Sequence, residues 1–301
     1  MAGRHPLRAL ALYPEELQLL IEDELEQLTF TQDPLTGGLV KAMRYSLLAG
    51  GKRIRPVLAL ATARAIGRDE REMLPLAAAI ELIHTYSLVH DDLPAMDDAA
   101  LRRGRPTVHK LFGDANAILA GDALQALAFE VLGRDDWPAT PDQRVDLVRG
   151  LARAAGPAGM CGGQTLDLEA EHQPLDEPGI VRLQALKTGA LIAFSADAGC
   201  VLGRASPAQR RAVRTYAEAL GLAFQIRDDL LDEEGDTAAI GKDAGRDAAA
   251  GKATFVSLLG REGAEARLRD LRGQALESLA EFGTEQKLLK DLYEFVATRT
   301  S

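Results

Sequence analysis

Two groups of aspartates stand 137 positions apart in this 301-residue chain: Asp91-Asp92-Leu-Pro-Ala-Met-Asp97-Asp98 and Asp228-Asp229-Leu-Leu-Asp232. Seven carboxylates gathered in one place repel: a like-charged pair at about 4 Å costs roughly 4 kcal/mol even at an effective dielectric of about 20. Such a gathering needs a compensating cation. All the side-chain ligands on offer are oxygens and none is a thiolate, so the fitting ion is hard, Mg²⁺ or Mn²⁺. Mg²⁺ held by a few carboxylates completes its shell with water and a substrate's phosphate oxygens. The acids therefore point to a metal-dependent enzyme acting on a phosphorylated substrate. An Asp-rich run alone is as often a solvated surface. Here each group follows an apolar helical segment, Ala77 to Val89 and Ala217 to Ile226, and precedes a basic, Gly-containing stretch. Those stretches are Leu101-Arg102-Arg103-Gly104-Arg105-Pro106, and Gly241-Lys242-Asp-Ala-Gly-Arg246 with Gly251-Lys252. A further cluster, Gly50-Gly51-Lys52-Arg53-Ile54-Arg55-Pro56, places three cations in four residues.

The second acidic group lies in a continuous helical pattern. At 100° per residue Gln225, Asp228, Asp229 and Asp232 fall within about 100° of arc, a polar stripe near a helix C-terminus. That end carries negative partial charge, so acids there are unfavourable without cations. The first group differs. Pro94 disfavours helix at Leu93, so a helix ends near Asp92 and the chain turns, letting Asp97 and Asp98 fold back toward Asp91. Asp91 shares a helix face with His84 and Ser87 at i−7 and i−4. His84 is either a satisfied core histidine or a phosphate donor.

The elements that must position these groups are helices. Leu17, Leu20, Ile21, Leu25 and Leu28 repeat at three- and four-residue steps, as do Val145, Val148 and Leu151. Ser206-Pro207-Ala-Gln209 combines a Ser N-cap, Pro at the first helical position and a capping-box Gln, opening a helix that runs to about Asp232 before Gly235. No alternating β-branched segment bounded by turns is found. Residues 133–142 and 172–179 read as loops. The expectation is an all-α bundle of ten or more helices, one domain over residues 1–301, with no linker-like stretch. Net charge of −10 argues against nucleic acid and anionic membrane surfaces as partners. Two cysteines, Cys161 and Cys200, form no CxxC and fit a reducing compartment. No apolar run is read as approaching the 18 or so residues a spanning helix needs, and no signal peptide is evident, so a cytoplasmic protein without a stable membrane anchor is expected.

Nearly the whole chain resembles the trans-isoprenyl diphosphate synthases, within them the bacterial farnesyl diphosphate synthases. The resemblance rests on Gly50–Pro56, His84-Thr-Tyr-Ser-Leu-Val-His-Asp-Asp-Leu-Pro-Ala-Met-Asp-Asp98, Leu101-Arg-Arg-Gly104, Gly121-Asp122, Cys161-Gly-Gly-Gln164, Lys187-Thr-Gly189, Phe224-Gln-Ile-Arg-Asp-Asp-Leu-Leu-Asp232 and Gly251-Lys-Ala-Thr254. One such motif is weak evidence; the set in this order is strong. It implies a large helical bundle around a central cavity. Asp91 and Asp97 would hold two Mg²⁺ and Asp228 a third, with Mn²⁺ as an alternative ion. Asp92, Asp98, Asp229 and Asp232 would be occasional ligands or lie behind the ligands. Arg102, Lys187, Thr188, Gln225, Lys242 and Lys252 would meet the allylic diphosphate. Lys52, Arg55, His84 and Arg103 would meet isopentenyl diphosphate. Asp91, Asp97, Arg102, Lys187 and Asp228 would carry the catalysis, and the family is usually homodimeric. Bulk before the first acidic motif limits product length in the family: Tyr86 and Ser87 stand five and four residues before Asp91, and with the Pro94-Ala95 insertion an aromatic there suggests a C15 product. A helical wheel places Ser87 beneath Asp91 and turns Tyr86 about 140° away, so the role of Tyr86 comes from the resemblance. Phe255 replaces the family's frequent Tyr, and the tail Arg299-Thr-Ser301 is less basic than many family C-termini.

Four rivals compete. A C20-forming synthase is the alternative in product length. A His-Asp phosphohydrolase through His90-Asp91 leaves the second acidic group unexplained. A terpene cyclase shares one DDxxD but not the Gly50–Pro56 cluster. A non-catalytic regulatory subunit of a heteromer would lose the acids, which are intact here.

Overall fold

The computed structural model describes residues 13–28, 30, 33–170, 172–173, 175–234 and 254–299. The helices are α1 (Glu15–Gln27), α2 (Gly37–Leu47), α3 (Ile54–Ala65), α4 (Leu74–Asp91), α5 (Val108–Phe112), α6 (Asp114–Gly133), α7 (Pro141–Ala155), α8 (Met160–Ala170) and α9 (Glu177–Gln184). After a π-helical turn at Ala185–Gly189 come α10 (Ala190–Gly203), α11 (Pro207–Glu234), α12 (Phe255–Ser278) and α13 (Lys287–Thr298). One apolar cluster runs from Tyr13 to Val296 through every long helix. Its centre is α4, where Leu76–Ile80, Leu82 and Ile83 are fully enclosed. α4 packs on α6 and α3, α10 lies between α3 and α11, and α11 lies along α12.

Local signals explain the boundaries. The expected capping box opens α11: the Gln209 amide donates to Ser206 Oγ (3.2 Å) and the Ser206 amide to Gln209 Oε1 (2.9 Å). α7 opens likewise with Thr140 and Gln143, after a loop where one was expected. In the second expected loop Asp176 caps α9 three residues early, accepting from the Gly179 amide at 2.9 Å.

Two expectations need correction, and one small element was not foreseen. In α7 the buried seam runs through Leu147 and Leu151 while Val145 is exposed, because Ala154 and Ala155 pull the inward face round by part of a turn. A small antiparallel hairpin, β1 (Leu101–Arg102) and β2 (Arg105–Pro106), interrupts the helices. Its two-residue loop, Arg103-Gly104, has φ of 53° and 72°, the positive pair that a tight two-residue turn requires. Such a strand is too short to leave an alternating pattern. Lastly, α6 and the run Pro178–Gly203 are long and apolar enough to cross a membrane by length and composition alone. Both pack within the bundle, α6 against α4 and α10 against α3 and α11, and an Ala/Gly-rich core helix passes the same test.

Candidate active site

The first acidic group is built at the end of α4. Asp91 is its last helical residue, and Pro94 sends the chain into a turn that comes straight back. The Asp97 amide donates to the Asp91 carbonyl at 2.9 Å, and the Ala99 amide to that of Asp92 at 3.2 Å. Asp97 and Asp91 are thus adjacent through the backbone, as Pro94 implied. The hairpin that follows returns Arg102 to α4. Its Nε lies 2.8 and 2.9 Å from the two oxygens of buried Asp92, and its Nη2 lies 2.7 Å away. Asp98 faces outward and accepts from Lys110 at 3.1 Å.

The second group lies on α11, with Leu220, Ala223 and Ile226 turned into the core. Gln225 donates to Asp229 Oδ1 at 3.1 Å and accepts from the Thr188 hydroxyl at 3.4 Å. The other Asp229 oxygen accepts the Phe255 amide at 2.8 Å, so this carboxylate anchors the start of α12. Asp228 pairs with Arg299 at 2.5 Å. Lys187 sits in the π-helical turn and reaches Asp167 of α8 at 2.5 Å. Gly163 allows that approach, since a Cβ there would fall 2.2 Å from the Lys187 amide nitrogen.

The cation cluster lies between the two groups. Arg55 Nη1 is 3.3 Å from His84 Nε2. An arginine always donates, so Nε2 accepts and the proton of a neutral ring sits on Nδ1. Burial, then the charges of Arg55, Arg103 and Arg102, hold the His84 imidazole well below its usual range, so it is neutral at pH 7. Burial also pulls Arg55 down, with Glu81 and Asp228 opposing. The Lys52 ammonium lies 5.8 Å from the Phe295 ring centre. Its pKa falls to about 8, from burial first and Arg299 second, with Asp228 opposing. Arg103 lies against the Gly51 backbone, where its guanidinium would touch an added Cβ at 2.7 Å.

The expected residues therefore assemble, with one change in geometry. The two acidic groups do not form a single cage: among the described residues no three His, Cys, Asp or Glu side chains stand close enough to hold a metal ion. They flank one set of cations instead: Arg102 pairs with Asp92 and Arg299 with Asp228, while between them Arg55, in contact with His84, feels the charge of Asp228 and His84 that of Arg102. Mutual repulsion explains the separation. The donor set still fits Mg²⁺, which needs only one or two carboxylates beside water and phosphate oxygens. Lys242 and Lys252 fall outside the described residues.

Tyr86 is buried away from this line, its hydroxyl 3.5 Å from Cys161 Sγ and its ring edge-on to His90. Burial first, then Cys161, raises its hydroxyl pKa, and the charge of Asp91 acts in the same direction. Ser87 returns its hydroxyl to the His84 carbonyl at 2.8 Å. Two charged residues of this region carried no site assignment from the sequence. Arg299 is buried, its guanidinium 4.1 Å from the Phe224 ring centre and its carbonyl accepting from Arg227 at 2.7 Å. A lone basic residue in a weakly basic tail gave no signal for it. Glu81 is fully buried in an otherwise apolar helix, and an acid inside Ala77–Val89 was the visible clue.

Residues 37–295 match the polyprenyl synthetase family. The chain belongs to that family. The farnesyl diphosphate synthase of Escherichia coli (strain K12) is 46% identical over 299 residues, 95% of this chain and 99% of that protein. Among solved family members, an FPP/GFPP synthase from Zymomonas mobilis in its apo form superposes with a TM-score of 0.86 at 45% identity, covering 97% of this chain and all of that one. A Helicobacter pylori geranyltransferase complexed with magnesium and isoprenyl diphosphate gives 0.83 at 32% identity, covering 98% of each chain.

Proposed function

We propose that this polyprenyl synthetase condenses isopentenyl diphosphate with dimethylallyl or geranyl diphosphate, giving farnesyl diphosphate (C15). The observation that carries the reading is a row of cations flanked by two separate aspartate groups, a charge arrangement suited to metal-bound diphosphates. Asp91 and Asp97 on one side and Asp228 on the other would hold about three Mg²⁺ ions. Bound there, the ions draw electron density into the departing diphosphate.

Arg102, Lys187, Thr188 and Gln225, with Lys242 and Lys252, orient the allylic diphosphate. As its C1–O bond breaks, the electron pair leaves with the diphosphate, whose growing charge these donors already face. Lys52, Arg55, Arg103 and neutral His84 bind the diphosphate of the second substrate and aim its double bond at C1. The π electrons form the new carbon–carbon bond, and the adjacent C–H proton passes to an oxygen of the released diphosphate. Asp92 and Asp229 lie behind this machinery, the first fixing Arg102 and the second fixing Gln225 and the start of α12. Tyr86 and Ser87 border the path of the growing chain.

The same proposal takes the chain as a single domain, cytoplasmic, and paired with a second copy. Leu111, Ile118 and Leu119 on α5 and α6 are about half exposed, an apolar face that a partner copy would cover. The test uses purified protein alone with labelled isopentenyl diphosphate, geranyl diphosphate and Mg²⁺. C15 diphosphate is expected, with no turnover after chelation. A C20 product would favour the longer-chain reading, and no turnover the regulatory-subunit reading.

A further inference from the structure

Arg53 stands between two residues assigned to a diphosphate, yet its side chain points away from them. Its backbone adopts the left-handed conformation, φ 49° and ψ 35°, immediately before α3. A non-glycine residue takes that conformation rarely, and here the guanidinium enters the core as Lys52 and Arg55 face the site. It reaches both oxygens of Glu22 at 2.8 and 3.1 Å, Glu81 at 2.5 Å and the Leu47 carbonyl at 2.8 Å. Burial alone would pull its pKa down, but Glu81 and Glu22 outweigh that and raise it. The preceding loop is tied to the same helix, since Gln18 of α1 donates to the Gly51 carbonyl at 2.8 Å.

Glu81 makes this more than a clamp. It lies on α4 three residues before His84, the ring that accepts from Arg55. Its side chain is only 2% exposed, and its second oxygen, Oε2, has no hydrogen-bond partner among the described residues. A carboxylate so enclosed projects its charge with little screening. That charge is the foremost attraction acting on both Arg55 and Arg103, the two guanidiniums on the far side of the loop.

We propose that Glu81, with Arg53 as its buried partner, is the positioning residue of the isopentenyl diphosphate site. One carboxylate holds the loop from below and sets Arg55 and Arg103 above it. This rests on the substrate assignment proposed above. The loop that Glu81 holds through Arg53 carries Lys52 and Arg55, while among the described residues no group assigned to the allylic diphosphate bonds to Glu81 or to that loop's Arg53, so the effect is selective for one substrate.

The test compares Glu81→Gln with the double variant Arg53→Met/Glu81→Leu, each against wild type, measuring melting temperature and KM for both substrates. Apolar replacement of a whole buried ion pair is often tolerated, so the double variant keeps the fold while removing the carboxylate. In both variants KM for isopentenyl diphosphate should rise on the order of tenfold, the size of a lost charged contact. KM for geranyl diphosphate should stay within about twofold of wild type, a difference too small to signal a lost charged contact. A normal KM for isopentenyl diphosphate in the stable double variant would leave Glu81 a purely structural role and overturn the proposal. Equal rises in both KM values would do the same. Wild-type protein that consumes no isopentenyl diphosphate would instead strike the functional reading, and this proposal with it.

Discussion

The Gly50–Pro56 loop and the two aspartate groups carry opposite charge and are held in opposite ways. The loop is supported from beneath by Gln18, Glu22 and Glu81, which bind the Gly51 carbonyl and the Arg53 guanidinium. Its outward cations thus need little rearrangement to receive a diphosphate. The aspartates are spoken for by the protein's own groups: Asp92 by Arg102, Asp228 by Arg299, and Asp229 by Gln225 and the Phe255 amide. Arg299 holds Asp228 through Oδ1, so on the proposed function this contact competes with a metal ion for the same carboxylate. One half of the site is pre-organised, and on the proposed function the other is completed on binding. The energetic sense is that buried cations keep their charge only if a buried anion lies nearby, whereas aspartates can wait in temporary ion pairs.

The largest effect should follow from the aspartates. Asp91→Asn or Asp228→Asn should lower kcat on the order of 10³-fold while leaving the fold intact, the scale of losing preorganised charge stabilisation. Equal losses in isopentenyl diphosphate affinity would blur the division between the two halves. Circular dichroism and single-turnover rates on the same preparations separate the outcomes.

The next effect concerns stability. Arg53→Met alone strands Glu81 in the core and should cost about 3–5 kcal/mol. Urea unfolding of the variant beside Arg102→Met, whose partner Asp92 is also buried but lies at the rim of the site, sharpens the contrast. A smaller loss from Arg53 than from Arg102 would remove the claim that the loop is the rigid half.

These two halves also differed in how well the sequence revealed them. The acids were legible because their chemistry is local: the Pro94 turn and the 100° stripe on α11 follow from neighbouring residues alone, and both are observed. The inward course of Arg53 was not legible, because it depends on Glu22 and Glu81 lying beneath the loop, 31 and 28 positions away. Arg299 escaped for the same reason, since its partner Asp228 is 71 positions distant. The hairpin at Leu101–Pro106 escaped because two-residue strands carry no periodicity. The helices named from periodicity were readable, except where α7 turns Val145 outward and where α9 begins inside the expected loop.

A third test concerns product length, at the edge of the aspartate half. Tyr86 is held by Cys161 and His90, so removing its ring opens space between α4 and those neighbours without touching the cation loop. Tyr86→Ala should lengthen the product beyond C15, with KM for isopentenyl diphosphate unchanged. An unaltered C15 product by chromatography would take Tyr86 out of this role.

The smallest effect tests the cation loop itself, through pH. Burial holds the Lys52 ammonium at a pKa of about 8, so it is charged below that value and loses its proton above it. A bound diphosphate favours the charged form, so affinity for isopentenyl diphosphate should weaken as pH climbs from 7 past 8. The fall approaches tenfold per pH unit well above the pKa if the charge is essential, about 1.4 kcal/mol for each unit. Binding near pH 8.5 should also take up protons, seen as calorimetric heats that change with the ionisation enthalpy of the buffer. Lys52→Arg supplies a charge that does not titrate in this range, at some cost in geometry, and should flatten the profile. If the variant and wild type show the same slope, the titrating group is not Lys52. The buried, preset cation would then have to be sought elsewhere among the neighbours of Asp228.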